Sequence, residues 1–237
     1  MMPQNAPETR TLARLVARHL GMVPGDVRLR RIPTGKFNTS YLVDGVPVPL
    51  VLRIAPPDDR SQLLFYEHRM MRQEPGLHAL LRERTVVPVP AILAHDFGHS
   101  DIERDYLLME RVPGTPLSHL HSLSRDALGG ILREVGRCLR QVHKITGDRY
   151  GYVGDHRPMV PQVDWFLAFR VMWHSLLDDI ERCGGYSPAE TADMRGLLDR
   201  HLEVFDRPVS ASLLHMDVWA ENILADEHGL LTGLIDW

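Results

Sequence analysis

The chain has 237 residues, 44% of them hydrophobic and 24% charged, close to the averages of soluble globular proteins. That composition excludes disordered, collagen-like and solenoid architectures, and no run reaches the ~18 apolar residues that a membrane span needs. The net charge of −4 is uneven: residues 160–237 carry 14 acidic side chains against 5 arginines, which disfavours nucleic acid as a partner.

The N-terminus, MMPQNAPETR, lacks the apolar core of a signal peptide, so a cytoplasmic protein without a membrane partner is expected. Leu12, Leu15, Val16 and Leu20 recur at helical spacing before Gly21 and predict a short amphipathic helix. From Val27 to Ile54 the texture is that of short strands, with Thr39 to Val43 and Val48 to Ile54 forming a hairpin about Asp44-Gly45. Ser61 to Leu81 has the length and mix of a helix, and VPVPAILAHDFG and DYLLMERV read as two more strands.

After Val112-Pro113-Gly114-Thr115-Pro116 the pattern turns helical, which places a lobe boundary there: residues 1–111 form one lobe and 112–237 the other. Between Asp126 and Ile145, the positions Leu128, Ile131, Leu132, Val135, Leu139 and Val142 make a core stripe. Trp165, Phe166, Phe169, Met172, Trp173, Leu176, Leu177 and Ile180 make a second stripe, also expected to be core. Ser187-Pro188-Ala189-Glu190 is a capping box that opens another helix. Asn222 to Ala225 and Leu230 to Ile235 predict a closing hairpin. Cys138 and Cys183 fit no disulfide or zinc spacing and are expected to be reduced, half-buried thiols. The thirteen histidines include no set at zinc-ligand spacing.

The chemistry concentrates in Leu213-Leu214-His215-Met216-Asp217-Val218-Trp219-Ala220-Glu221-Asn222-Ile223-Leu224 and in Leu234-Ile235-Asp236-Trp237. Phosphoryl transfer needs a carboxylate to orient or deprotonate the attacking hydroxyl, and oxygen ligands that hold Mg²⁺ against nucleotide phosphates. Asp217 suits the first role, and Asn222 with Asp236 the second.

These residues resemble the H-G-D-x-x-x-x-N loop and the hydrophobic-Asp-Trp of the aminoglycoside phosphotransferase family, relatives of the protein kinases, with Met216 in place of the usual glycine. The resemblance implies a kinase-like two-lobe α+β fold with a sheet-bearing nucleotide lobe and a mainly helical catalytic lobe. It further implies ATP and Mg²⁺ as cofactors and a hydroxyl of a small molecule as phosphate acceptor. Asp217 would be the catalytic base, Asn222 and Asp236 metal ligands, and His215 a support for the loop. Gly35, Lys36, Asn38, Thr39 and Ser40 lie in the turn expected to cover the phosphates.

By the same resemblance Arg53 takes the place of the phosphate-binding lysine, Glu67 that of its helix partner, and Glu110 to Val112 that of the adenine-reading hinge. The acidic second lobe suits a cationic acceptor such as an aminoglycoside, although solvated helix faces account for the charge equally. Family members normally continue into further helices, so the resemblance implies a chain incomplete at Trp237. The alternative is a catalytically inactive nucleotide-binding kinase-like module or fragment. A protein kinase is disfavoured, since no activation segment running from an Asp-Phe-Gly to a later Ala-Pro-Glu is present.

Overall fold

The structure, a computed structural model, describes residues 7–33, 37–57, 63–154, 156, 158–205 and 207–237. Helix α1 (Thr9–Leu20) ends at Gly21, whose left-handed φ of 63° lets its own N–H and that of Met22 cap the last turn. Strands β1 (Arg28–Ile32), β2 (Thr39–Asp44), β3 (Leu50–Ile54), β4 (Ile92–Asp96) and β5 (Tyr106–Glu110) form an antiparallel sheet in the order β1-β2-β3-β5-β4.

Alternation along β3 decides what this sheet offers on each face. Leu50, Leu52 and Ile54 join Tyr41, Val43, Tyr106 and Leu108 in a core closed by Leu12, Leu15 and Val16 of α1. Val51 and Arg53 therefore point to the opposite face. Residues paired directly across a ladder share a face, so Ser40, opposite Arg53, lies on that side, whereas Thr39, opposite Ile54, lies toward α1.

The helix expected over Ser61 to Leu81 begins only at Glu74; α2 spans Glu74–Arg84, and among the described residues 63–73 precede it as turns and one 3₁₀ segment. The break lies at Arg69, whose left-handed φ of 56° interrupts helical backbone, while Pro75 fits the first turn of α2. Leu77 and Leu81 of α2 pack with Val87 and Val89 into a second core. That core also holds Ile131, Val135, Cys138 and Val142 of α3 (Arg125–Val142). Leu128 and Leu132, predicted to be buried on α3, are exposed, because the covered strip is narrower than the apolar one.

His78 of α2 is buried, donates from Nδ1 to Pro90 O at 2.9 Å, and has no partner for Nε2. Burial pulls its pKa down to about 4, below the 6.5 of an exposed imidazole. Its folded pKa lies below its unfolded one, so its contribution is complete above pH 6.5 and is lost as pH falls toward 4. Relative to His78→Leu, the unsubstituted chain should lose about 2 kcal/mol between pH 7 and 5 in urea unfolding. Parallel pH profiles for the two proteins would contradict this.

Short strand β6 (Thr115–Pro116) pairs with the closing hairpin of β9 (Ile223–Ala225) and β10 (Leu231–Leu234), while β7 (Thr146–Gly147) and β8 (Ala211–Ser212) form a separate two-stranded sheet. The hairpin forms a sheet in the order β10-β9-β6. Helices α4 (Trp165–Arg182) and α5 (Pro188–Arg200) pack together, and Ser187 and Glu190 form both bonds of the predicted capping box. The aromatic stripe of α4 is half-buried rather than core: Ala168 and Leu177 are the buried apolar positions of the helix, while Phe169 stacks on Phe205 and Phe166 meets it at a tilt. Cys138 is buried and Cys183 exposed, neither half-buried as expected, because Cys183 follows the last turn of α4. Among the described residues no helix is long and apolar enough to cross a membrane.

Candidate active site

The hairpin of β9 and β10 brings the two ends of the motif together. Ile235 N–H donates to Asn222 O at 3.0 Å, extending the ladder so that Asp236 leaves β10 beside the start of β9. His215, buried and tilted against Trp237 with ring centroids 4.2 Å apart, ties in the intervening loop. Its Nε2 donates to Ile235 O at 3.0 Å and its Nδ1 accepts from Asp217 N–H at 3.3 Å. Burial holds this imidazole below its ordinary pKa, which keeps the neutral tautomer that those two bonds require. Trp237 anchors the far side through its indole N–H on Leu234 O, 2.7 Å away.

Asn222 is buried, and its amide nitrogen donates to Asp217 O and to Asp217 Oδ2, both at 2.9 Å. Those bonds commit the nitrogen and orient the carboxylate, leaving Asn222 Oδ1 and Asp217 Oδ1 as the oxygens available to ligands. Met216 precedes Asp217 with φ 67° and is exposed. A left-handed L-residue costs about 1–2 kcal/mol, partly offset by the extra chain entropy that glycine brings to the unfolded state. Met216→Gly should therefore raise unfolding stability by about 1 kcal/mol in urea titration, and a loss would show that the methionine side chain packs usefully.

Arg53 joins this cluster from the other sheet. Its Nη1 donates to Glu74 Oε2 and its Nη2 to Asp236 Oδ1, each at 2.7 Å, with the side chain only 13% exposed. The helix partner of Arg53 is thus Glu74, not Glu67, because the late start of α2 places Glu74 beneath β3. Glu67 instead accepts from Leu64 N–H at 2.8 Å within its own turn. Burial lifts the Glu74 carboxyl to about 7 against the pull of Arg53, with Asp236 pushing the same way as burial. Glu74 was missed in the sequence, although Glu74-Pro75 is a helix-start signal that could have located it.

At the hinge, Glu110 N–H donates to Ala91 O and Arg111 N–H to Pro49 O, while Val112 N–H makes no hydrogen bond among the described residues. Gly233 of β10 lies beneath: a Cβ there would stand 2.7 Å from Val112 Cγ1, so the floor requires a residue without one. Asn38 Oδ1 is buried without a partner near the start of β2, and Gly35 and Lys36 lie outside the described residues.

Among the described residues no three His, Cys, Asp or Glu side chains gather as a metal cage. The donor set here, one amide oxygen and one carboxylate, fits Mg²⁺, which is usually held by one or two carboxylates together with substrate phosphates. Asp236 keeps half of its side chain exposed.

The family model described as phosphotransferase enzyme family matches residues 28–237. No curated protein matches. Among solved structures, aminoglycoside phosphotransferase APH(4)-Ia, as a thermostable mutant in ternary complex with AMP-PNP and hygromycin B, is 18% identical with a TM-score of 0.62. That match covers 96% of this chain and 70% of the other. The streptomycin-ATP-APH(2″)-IIa ternary complex is 15% identical, with a TM-score of 0.65 and coverage of 98% and 71%. A candidate fructosamine-3-kinase from Haemophilus somnus 129PT is 18% identical, with a TM-score of 0.57 and coverage of 92% and 68%. The antiparallel lobe and the helical part described above are thus those of the kinase-like fold, in a chain shorter than these neighbours.

Proposed function

This chain belongs to the phosphotransferase enzyme family, and on that premise we propose that it transfers the γ-phosphoryl group of ATP to a hydroxyl of a small molecule, with Asp217 as base. The observation that carries the reading is the bonding of Asn222 to Asp217 and of His215 to both Asp217 N–H and Ile235 O, which draws the proposed catalytic and metal-binding groups together at one hairpin. Neighbours of the same fold, in complexes with AMP-PNP and hygromycin B or with ATP and streptomycin, support a nucleotide and a hydroxylated acceptor.

In this reading Asp217 Oδ1 takes the hydrogen bond of the acceptor hydroxyl and then its proton, while Asn222 holds Oδ2 in place. Asn222 Oδ1 and Asp236 would hold Mg²⁺, which when bound offsets charge on the phosphate oxygens. Arg53 supplies the fixed cation that meets the phosphates from β3, and Ser40, on the same face, supplies a hydroxyl donor. Val112 N–H and the carbonyl of Glu110 read the adenine edge. His215 moves no proton, because both of its nitrogens are engaged in positioning.

ADP release measured with ATP, Mg²⁺ and a panel of aminoglycosides, amino alcohols and sugars tests this, with Asp217→Asn as the blank. Acceptor-dependent release by the unsubstituted chain alone is the expected result. Metal-dependent nucleotide binding with no release for any acceptor would favour the module without turnover.

A further inference from the structure

Resting on the reading of Asp236 as a metal ligand, we propose that Arg53 latches the metal site. Its Nη2 holds Asp236 Oδ1 until nucleotide phosphate takes over that donor, so that the divalent cation and the nucleotide load together.

A guanidinium is a planar fork with separate donors, and here one prong is spent on Glu74 and the other on Asp236, both at 2.7 Å. A compact ammonium has no such division. Arg53 is also confined, since β3 is laddered on both sides and the side chain is largely shielded from water. Asp236 sits at φ 66°, a left-handed conformation that aspartate tolerates better than most residues, and the bond to Arg53 fixes its carboxylate there.

A divalent ion that arrives alone must share the Asp236 carboxylate with a fixed positive charge. Mg²⁺ requires short oxygen contacts in near-octahedral array, and a guanidinium bound to the same carboxylate opposes it at short range. Phosphate removes the conflict, because its oxygens accept the donor that Asp236 gives up. Cation and nucleotide therefore raise each other's affinity, and by linkage the factor is the same in both directions. Glu74 sets the strength of the latch. With its charge removed, Asp236 becomes the only carboxylate on the fork and holds it more tightly.

Mn²⁺, counted by loss of its free-ion electron paramagnetic resonance signal, probes the site first without nucleotide and then with AMP-PNP. Arg53→Met should bind Mn²⁺ alone about tenfold more tightly than the unsubstituted chain and lose most of the coupling to AMP-PNP. Glu74→Gln should bind Mn²⁺ alone about threefold more weakly. The double variant Arg53→Met/Glu74→Gln removes the buried cation and its buried partner together, so it leaves no lone charge to unfold the lobe, and it should keep the tenfold gain. Unchanged Mn²⁺ affinity in both Arg53 variants, with coupling intact, would refute the latch and leave the metal site standing. Equal Mn²⁺ binding by Asp236→Asn and the unsubstituted chain would overturn the assignment of Asp236, and the latch with it.

Discussion

Asp217→Asn should lower kcat for acceptor phosphorylation by roughly 10²–10⁴-fold, the usual contribution of a positioned general base, with nucleotide affinity changed by less than about twofold. The substitution keeps an oxygen for the amide of Asn222 and the backbone donor to His215, so the loop geometry should survive. Only the capacity to take a proton is removed. Steady-state rates with a responsive acceptor, alongside AMP-PNP titration, separate the two quantities. A fall in kcat of less than about tenfold would move the base elsewhere.

Glu74→Ala should cost about 2–3 kcal/mol of unfolding stability at pH 8, because it strips a charged hydrogen bond from a guanidinium that water scarcely reaches. Glu67→Ala should cost about 1 kcal/mol, the value of a single bond that closes a turn. Urea unfolding of the two variants measures both. The contrast matters because the kinase-like pattern read from sequence assigned the ion pair to Glu67. Equal losses, or a larger loss at Glu67, would contradict the pairing seen here. Nucleotide affinity should follow the same order, since Arg53 without Glu74 is held only by a half-exposed aspartate.

The motif at the C-terminal end was legible because its parts are local. His215, Asp217 and Asn222 lie within eight residues, and a hairpin signalled by Asp226-Glu227-His228-Gly229 brings Asp236 back beside them. The capping box at Ser187 was legible for the same reason, as both of its bonds fall within four residues. The partner of Arg53 was not. It depends on where α2 begins, and the segment ahead of Glu74 carries apolar residues that imitate a helix although its backbone breaks at the left-handed Arg69.

The bond from Arg53 to Asp236 spans 183 positions and has no sequence signature at all. Nor does periodicity reveal how much of an apolar stripe is covered, as the half-buried aromatics of α4 and the exposed Leu128 and Leu132 of α3 illustrate. Left-handed backbone at Met216 was signalled only by the glycine usual at that place in the resembling family, and at Asp236 by nothing beyond aspartate's tolerance of it. Both positions flank the proposed chemistry, where local rules are most often broken.

The most direct test of the account is a calorimetric titration of AMP-PNP into the chain with Mg²⁺ and again with the metal chelated, repeated for Asp236→Ala. The account predicts one nucleotide per chain, bound only with Mg²⁺ and weakened at least about tenfold, or 1.4 kcal/mol, by the substitution. Binding that ignores both the metal and Asp236, or no binding by folded protein, would contradict it.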